Sequence, residues 1–124
     1  MIDPPSEDDA AAAWRDSTDT LLAAFAAAPA DATVTLVEID PLTPMPVLRA
    51  LGAQLLDTVV HTWDLARAIG ADDTLDPELV GRGLEIMTTF ADEIRNPRGF
   101  GPRVEVADDA DDQTKLLALL GRHP

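Results

Sequence analysis

The chain has 124 residues, 46% of them apolar, with 23 acidic residues against 9 basic ones, a formal net charge of -14 and no cysteine. That length supports one core without disulfides, so the 124 residues are read as a single domain. The absence of cysteine excludes thiolate metal sites, disulfide frameworks and cysteine nucleophiles, and the charge repels phosphate backbones and anionic lipid, so neither nucleic acid nor a membrane is expected as a partner.

The first element is a helix from about Glu7 to Ala28. Ser6 and Asp9 form an S-x-x-D start signal, Trp14, Leu21, Phe25 and Ala28 recur at helical spacing, and Pro29 ends the pattern. The apolar run LLAAFAAAPA is too short to span a bilayer, and MIDPPSEDD lacks the basic start of a signal peptide. A cytoplasmic location follows as the expectation.

TVTLVEI, Thr33 to Ile39, is β-branched and alternating enough for one extended segment, and VEV, Val104 to Val106, is the only other candidate strand. The central helix is expected from Thr43 to Gly70, with Pro44 and Pro46 tolerated in its first turn. A third helix starts with Asp76 as cap and Pro77 behind it, with Leu75 and Val80 placed for a hydrophobic staple and Leu84, Met87 and Ile94 continuing the stripe to Asn96-Pro97. An irregular segment rich in Gly, Pro and Asp follows, and its ADDADD run reads as caps and solvated surface. A short last helix covers about Asp111 to Leu120 and ends at Gly121.

Chemistry has one place to sit. Projected at about 100° per residue, Asp57, His61 and Asp64 fall within roughly 60° of one another on the central helix, beside Ala50, Ala53 and Ala68. Two readings stay open. The strip is either the solvent face of an amphipathic helix with an i,i+4 pair, or a carboxylate and an imidazole offered one turn apart to a shared cation. Trp63, on another face, is expected to be a buried anchor, and Arg67 to pair with Asp64 or with an acid of the third helix.

The run HTWDLARAIG, His61 to Gly70, with the tail FGPRVEVADDADDQTKLLALLGRHP, Phe100 to Pro124, resembles the actinobacterial mycothiol-dependent maleylpyruvate isomerase and DinB-like families. The resemblance implies an all-α, DinB-like helical bundle, here with three long helices, a short C-terminal helix and one or two short extended segments. It implies a divalent metal such as zinc or nickel, mycothiol as cosubstrate, and Asp57 and His61 as the metal pair on a later helix, with Asp64 supporting them from behind. The family's third ligand is a histidine on a first helix that has no counterpart upstream of Ser6, and the other histidine, His123, stands near the C-terminus where the family carries aspartate.

The chain thus corresponds to the later two-thirds of a family member, N-terminally truncated relative to the family. Two functions follow as expectations. One is a metal-dependent thiol S-transferase or isomerase acting on a small-molecule thiol with an incomplete site; the other is a non-catalytic dimeric helical module. Either is expected to form a homodimer, which covers apolar walls left open by the missing helix.

Overall fold

Alanine-rich sequence makes the first element helical, and Pro29 stops it. In the computed structural model, which describes residues 7–37, 40–90 and 100–124, this helix, α1, runs Glu7–Ala27. The other elements are strands β1 (Thr33–Val34) and β2 (Met45–Pro46) and helices α2 (Val47–Ile69), α3 (Pro77–Phe90) and α4 (Asp112–Leu119). The described chain is mostly helical, as the all-α expectation has it.

The start of α2 differs from the sequence reading. Helix begins at Val47 and not near Thr43, because Met45 and Pro46 are drawn into an antiparallel pair with Val34 and Thr33. Pro46 sits in extended backbone, φ -56° and ψ 138°, and the Val47 N–H donates to the Ala32 carbonyl at 2.9 Å. The partner of the Thr33 segment is therefore Met45–Pro46. Val104 to Val106 does not pair with it; the Val104 N–H donates instead to the Ala118 carbonyl of α4 at 2.9 Å.

The core lies where α2, α3 and α4 meet. Leu56, Val59, Val60 and Trp63 of α2 pack with Leu75, with Val80 and Met87 of α3, and with Leu116, Leu117 and Leu120. Trp63 is the buried anchor expected. Leu75 and Val80 are both buried, as the staple requires, and the Asp76 carboxylate accepts from the Glu78 and Leu79 N–H groups. The expected end of α3 at Asn96-Pro97 and its Ile94 lie outside the described residues.

Gly83 makes the α3–α4 contact possible, since a Cβ built there would stand 2.8 Å from a Leu116 methyl. Gly81 has open space around it and plays no such part. Asp111 caps α4 by accepting from the Thr114 N–H, and Gln113 ties α4 to the α2–α3 loop, donating to the Asp73 carbonyl and accepting from the Leu75 N–H.

α1 stands apart from this core. None of its described side chains is buried, and Trp14 is 71% exposed. Its apolar stripe is present as the spacing predicts, but no other described element covers it.

Candidate functional site

Asp57, His61 and Asp64 share one strip of α2, as projected. The His61 imidazole lies between the two carboxylates, with Nδ1 2.9 Å from Asp64 Oδ2 and Nε2 3.3 Å from Asp57 Oδ1. Asp57 and His61 are open to solvent, with side chains 58% and 57% exposed.

Asp64 is the more deeply held member, and what holds it is Arg122. The guanidinium donates twice to that carboxylate, Nε to Oδ1 at 3.1 Å and Nη2 to Oδ2 at 2.6 Å, a bidentate fork across two planar groups. Its remaining Nη1 donates to the Leu120 carbonyl at 3.0 Å. Foremost through the Arg122 hydrogen bonds, and then through His61, the Asp64 carboxyl is held below the ordinary carboxylate range against a smaller opposing effect of burial. The same contact raises Arg122 above its usual value.

The local fold explains how a residue near the end of the chain reaches the middle of α2. α4 ends in a Schellman motif in which the Gly121 N–H donates to the Ala118 carbonyl and the Arg122 N–H to that of Leu117. Gly121 takes φ +79°, which favours glycine, and its Cα packs against the Gly101 backbone too closely for a side chain. The left-handed turn folds the tail back over α4 and delivers Arg122 to Asp64.

An ionised carboxylate only accepts hydrogen bonds, so the shorter contact, with Asp64, favours the proton on His61 Nδ1 and leaves Nε2 facing the more distant Asp57 carboxylate. This is the arrangement in which a carboxylate behind a histidine fixes its tautomer and ring orientation. Nε2 and Asp57 Oδ1 then face each other with room for one positive charge between them, either a proton on Nε2 or an external cation.

The metal implied by the resemblance is tested by this donor set. One imidazole nitrogen and one carboxylate oxygen suit a divalent cation in kind, but a catalytic site takes three protein donors. Among the described residues no group of three or more His, Cys, Asp or Glu side chains is arranged to hold a metal. The pair falls one donor short of such a site among the described residues.

One expectation changes here, and one residue enters that the sequence reading did not name. Arg67 pairs neither with Asp64 nor with an α3 acid: it lies over the Trp63 ring, 5.1 Å from its centroid, and reaches Asp73 in the following loop at 3.3 Å. Arg122 was not singled out as a partner, although an arginine directly after a helix-ending glycine in a strongly acidic chain is the signal that could have found it.

Fold and site together define a helical protein whose longest helix presents a carboxylate, an imidazole oriented from behind by a second carboxylate, and an arginine fork that secures the latter. The chain belongs to the mycothiol maleylpyruvate isomerase N-terminal domain family, whose family model matches residues 3–66, a span that includes Asp57, His61 and Asp64. It is also similar to two uncharacterized proteins of Mycobacterium tuberculosis, from strains CDC 1551 and H37Rv, each 30% identical over 127 residues. Those alignments take in 98% of this chain and 66% of each relative, so the chain spans just under two-thirds of their length. No solved structure matches it significantly. No helix among the described residues is long and apolar enough to cross a membrane.

Proposed function

We propose that this chain is a mycothiol-linked, maleylpyruvate isomerase-like protein of the cytoplasm, folded as one DinB-like domain, that takes part in thiol isomerisation or transfer through His61 and Asp57. The observation that carries the reading is the 2.9 Å contact between Asp64 and His61 Nδ1, which leaves Nε2 facing Asp57. In the proposed site Nε2 accepts the proton of a small-molecule thiol, and the thiolate so formed is the nucleophile. Asp64 stabilises the imidazolium, and Arg122 keeps Asp64 ionised. Asp57 and His61 are also the two donors this chain would offer a zinc or nickel ion, with the third coming from outside the described residues. Such an ion, once bound, would lower the thiol pKa.

The test is thiol-dependent isomerisation of maleylpyruvate by the purified protein, supplied with mycothiol and with zinc or nickel, alongside metal analysis. The expected result is a rate that requires the thiol and falls by about a hundredfold or more in His61→Ala. Equal rates in wild type and His61→Ala would overturn the reading.

A second reading, a non-catalytic dimeric helical module, is favoured by one observation. The Asp57 and His61 side chains are more than half exposed, whereas catalytic pairs work in sites that shed water. On this reading the strip serves the stability of α2 alone. Absence of bound metal together with absence of thiol-dependent turnover would support it.

A further inference from the structure

The second feature of α2 is an outward heptad row in which Leu48, Leu51, Leu65 and Ile69 are exposed apolar residues, Thr58 and Thr62 exposed polar ones, and Leu55 a half-buried residue that also packs on the core. Leu48, Leu51, Leu55, Thr58, Thr62, Leu65 and Ile69 follow one another at steps of three and four residues, which is the a/d spacing of a heptad repeat carried through three heptads. A globular helix of this kind normally turns one stripe to its own core. α2 has two. Val59, Val60 and Trp63 are buried in the core, while Leu48 is 61%, Leu51 43%, Leu65 62% and Ile69 69% exposed.

Heptad spacing selects the kind of occupant, because only another helix keeps step with side chains that recur every 3.5 residues. Charge narrows it further. The charged residues of α2 are Arg49, Asp57, Asp64 and Arg67, which take the b, c and f positions. The seam and its flanks, Val47, Gly52, Gln54, Val59, His61, Ala66 and Ala68, carry no carboxylate, lysine or arginine, and His61 is their one titratable group, in a chain where 26% of residues are charged. A face kept clear of charge in so acidic a chain fits a second copy of itself, since two copies meet there without opposing carboxylates.

We infer that the exposed heptad face of α2 is a homodimer interface, in which α2 packs antiparallel against α2 of a second copy. Antiparallel packing opposes the two helix dipoles. It can bring Leu51 against the second copy's Ile69 and Leu55 against its Leu65, with Thr58 facing Thr62 at the centre. With 23 residues, α2 is about 34 Å long and roughly 10–12 Å across. A seam along it covers on the order of 400 Å² in projection and more in accessible area, approaching the ~800 Å² per partner of a standard interface. The inference does not rest on the thiol chemistry proposed above.

Analytical ultracentrifugation of the whole chain tests it, with a dimer expected at micromolar concentration. Leu51→Glu/Leu65→Glu, two changes at exposed positions, raises the dissociation constant about a hundredfold or more while the circular dichroism of the helices stays unchanged. Because the native chain lacks cysteine, Thr58→Cys supplies a single thiol near the two-fold, and a short bis-maleimide captures a covalent dimer in high yield. Raising ionic strength tightens the dimer, since screening relieves repulsion between two acidic copies. A monomer at high micromolar concentration, a dimer indifferent to the double substitution, or no crosslink at Thr58→Cys would each overturn the inference. A monomer in which Leu51 and Leu65 are shielded from solvent would instead place α1 of the same chain on the seam.

Discussion

Arg122 and Asp64, 58 residues apart in the chain, are joined by two hydrogen bonds, the shorter 2.6 Å. They tie the end of the chain to the middle of α2. Removing either partner breaks both bonds and leaves the other partly buried group alone, so Arg122→Ala and Asp64→Asn are each expected to cost about 1–2 kcal/mol, toward the low end because both groups keep contact with water. Urea unfolding of the two variants and of Arg122→Ala/Asp64→Asn checks it. In that cycle the double variant should lose much less than the sum of the singles.

The same pair sets a pH dependence. The Asp64 carboxyl is lowered in the folded protein, first by Arg122 and then by His61. A depressed carboxyl contributes stability that is present above its unfolded value, about 3.9, and is lost as pH falls through the lower folded value. The Asp64–Arg122 part of the stability gap between wild type and Asp64→Asn should therefore be present in full at neutrality and be lost only in acid, below the ordinary carboxylate range. A gap that closed between pH 5 and 7 would assign the effect to another group.

Much of this was legible in the sequence because the signals are local. Caps at Asp76 and Asp111, the staple from Leu75 to Val80 and the stop at Gly70 are each written within a few residues, and so is the i,i+4 placement of Asp57 and His61. What was not legible depends on distant pairing. Met45–Pro46 leaves the expected helix because Thr33–Val34 offers it a strand partner, and propensity alone does not report such an offer. Arg122 could be seen as a charge after a glycine, but its target is fixed only once α4 has docked on α3. The exposure of the α1 stripe and of the α2 heptad face is likewise a property of packing, since an apolar period reads the same whether or not anything covers it.

His61 should report the orientation that Asp64 imposes. Two-bond 15N correlation spectra above the imidazole titration range are expected to show the tautomer with hydrogen on Nδ1 in the wild type. Asp64→Asn should shift the population toward the other tautomer, because a neutral amide oriented to donate no longer requires a proton on Nδ1. Asp57→Asn should leave the tautomer as it is. Equal tautomer mixtures in wild type and Asp64→Asn would remove the basis for assigning Nε2 as the reactive nitrogen.

Two glycines with left-handed backbone separate conformational cost from collision. Gly70, φ +68°, ends α2 with open space around it, whereas a Cβ at Gly121, φ +79°, would lie 2.7 Å from the Gly101 carbonyl oxygen. Gly70→Ala should therefore cost about 1 kcal/mol, the price of left-handed backbone alone. Gly121→Ala must also displace backbone and with it the approach of Arg122, so a loss of about 2–3 kcal/mol is expected, read by urea unfolding.

Gly83 and Leu116 give the sharpest test of how α3 and α4 interlock. Leu116 is fully buried and one of its methyls occupies the space a Gly83 side chain would need, at 2.8 Å. Gly83→Ala gains helix propensity of about 1 kcal/mol but overpacks the contact by about 1–3 kcal/mol, so the single change should be neutral to destabilising. Leu116→Ala opens a cavity and should cost about 2–5 kcal/mol. Combined, the new methyl at position 83 enters part of the space Leu116 vacates, and its collision disappears while its propensity gain remains. Gly83→Ala/Leu116→Ala should therefore be more stable than the sum of the singles by at least about 1 kcal/mol, measured as a double-mutant cycle in urea. Strict additivity would mean that Leu116 rotates away at little cost and that Gly83 does not set the spacing of the two helices.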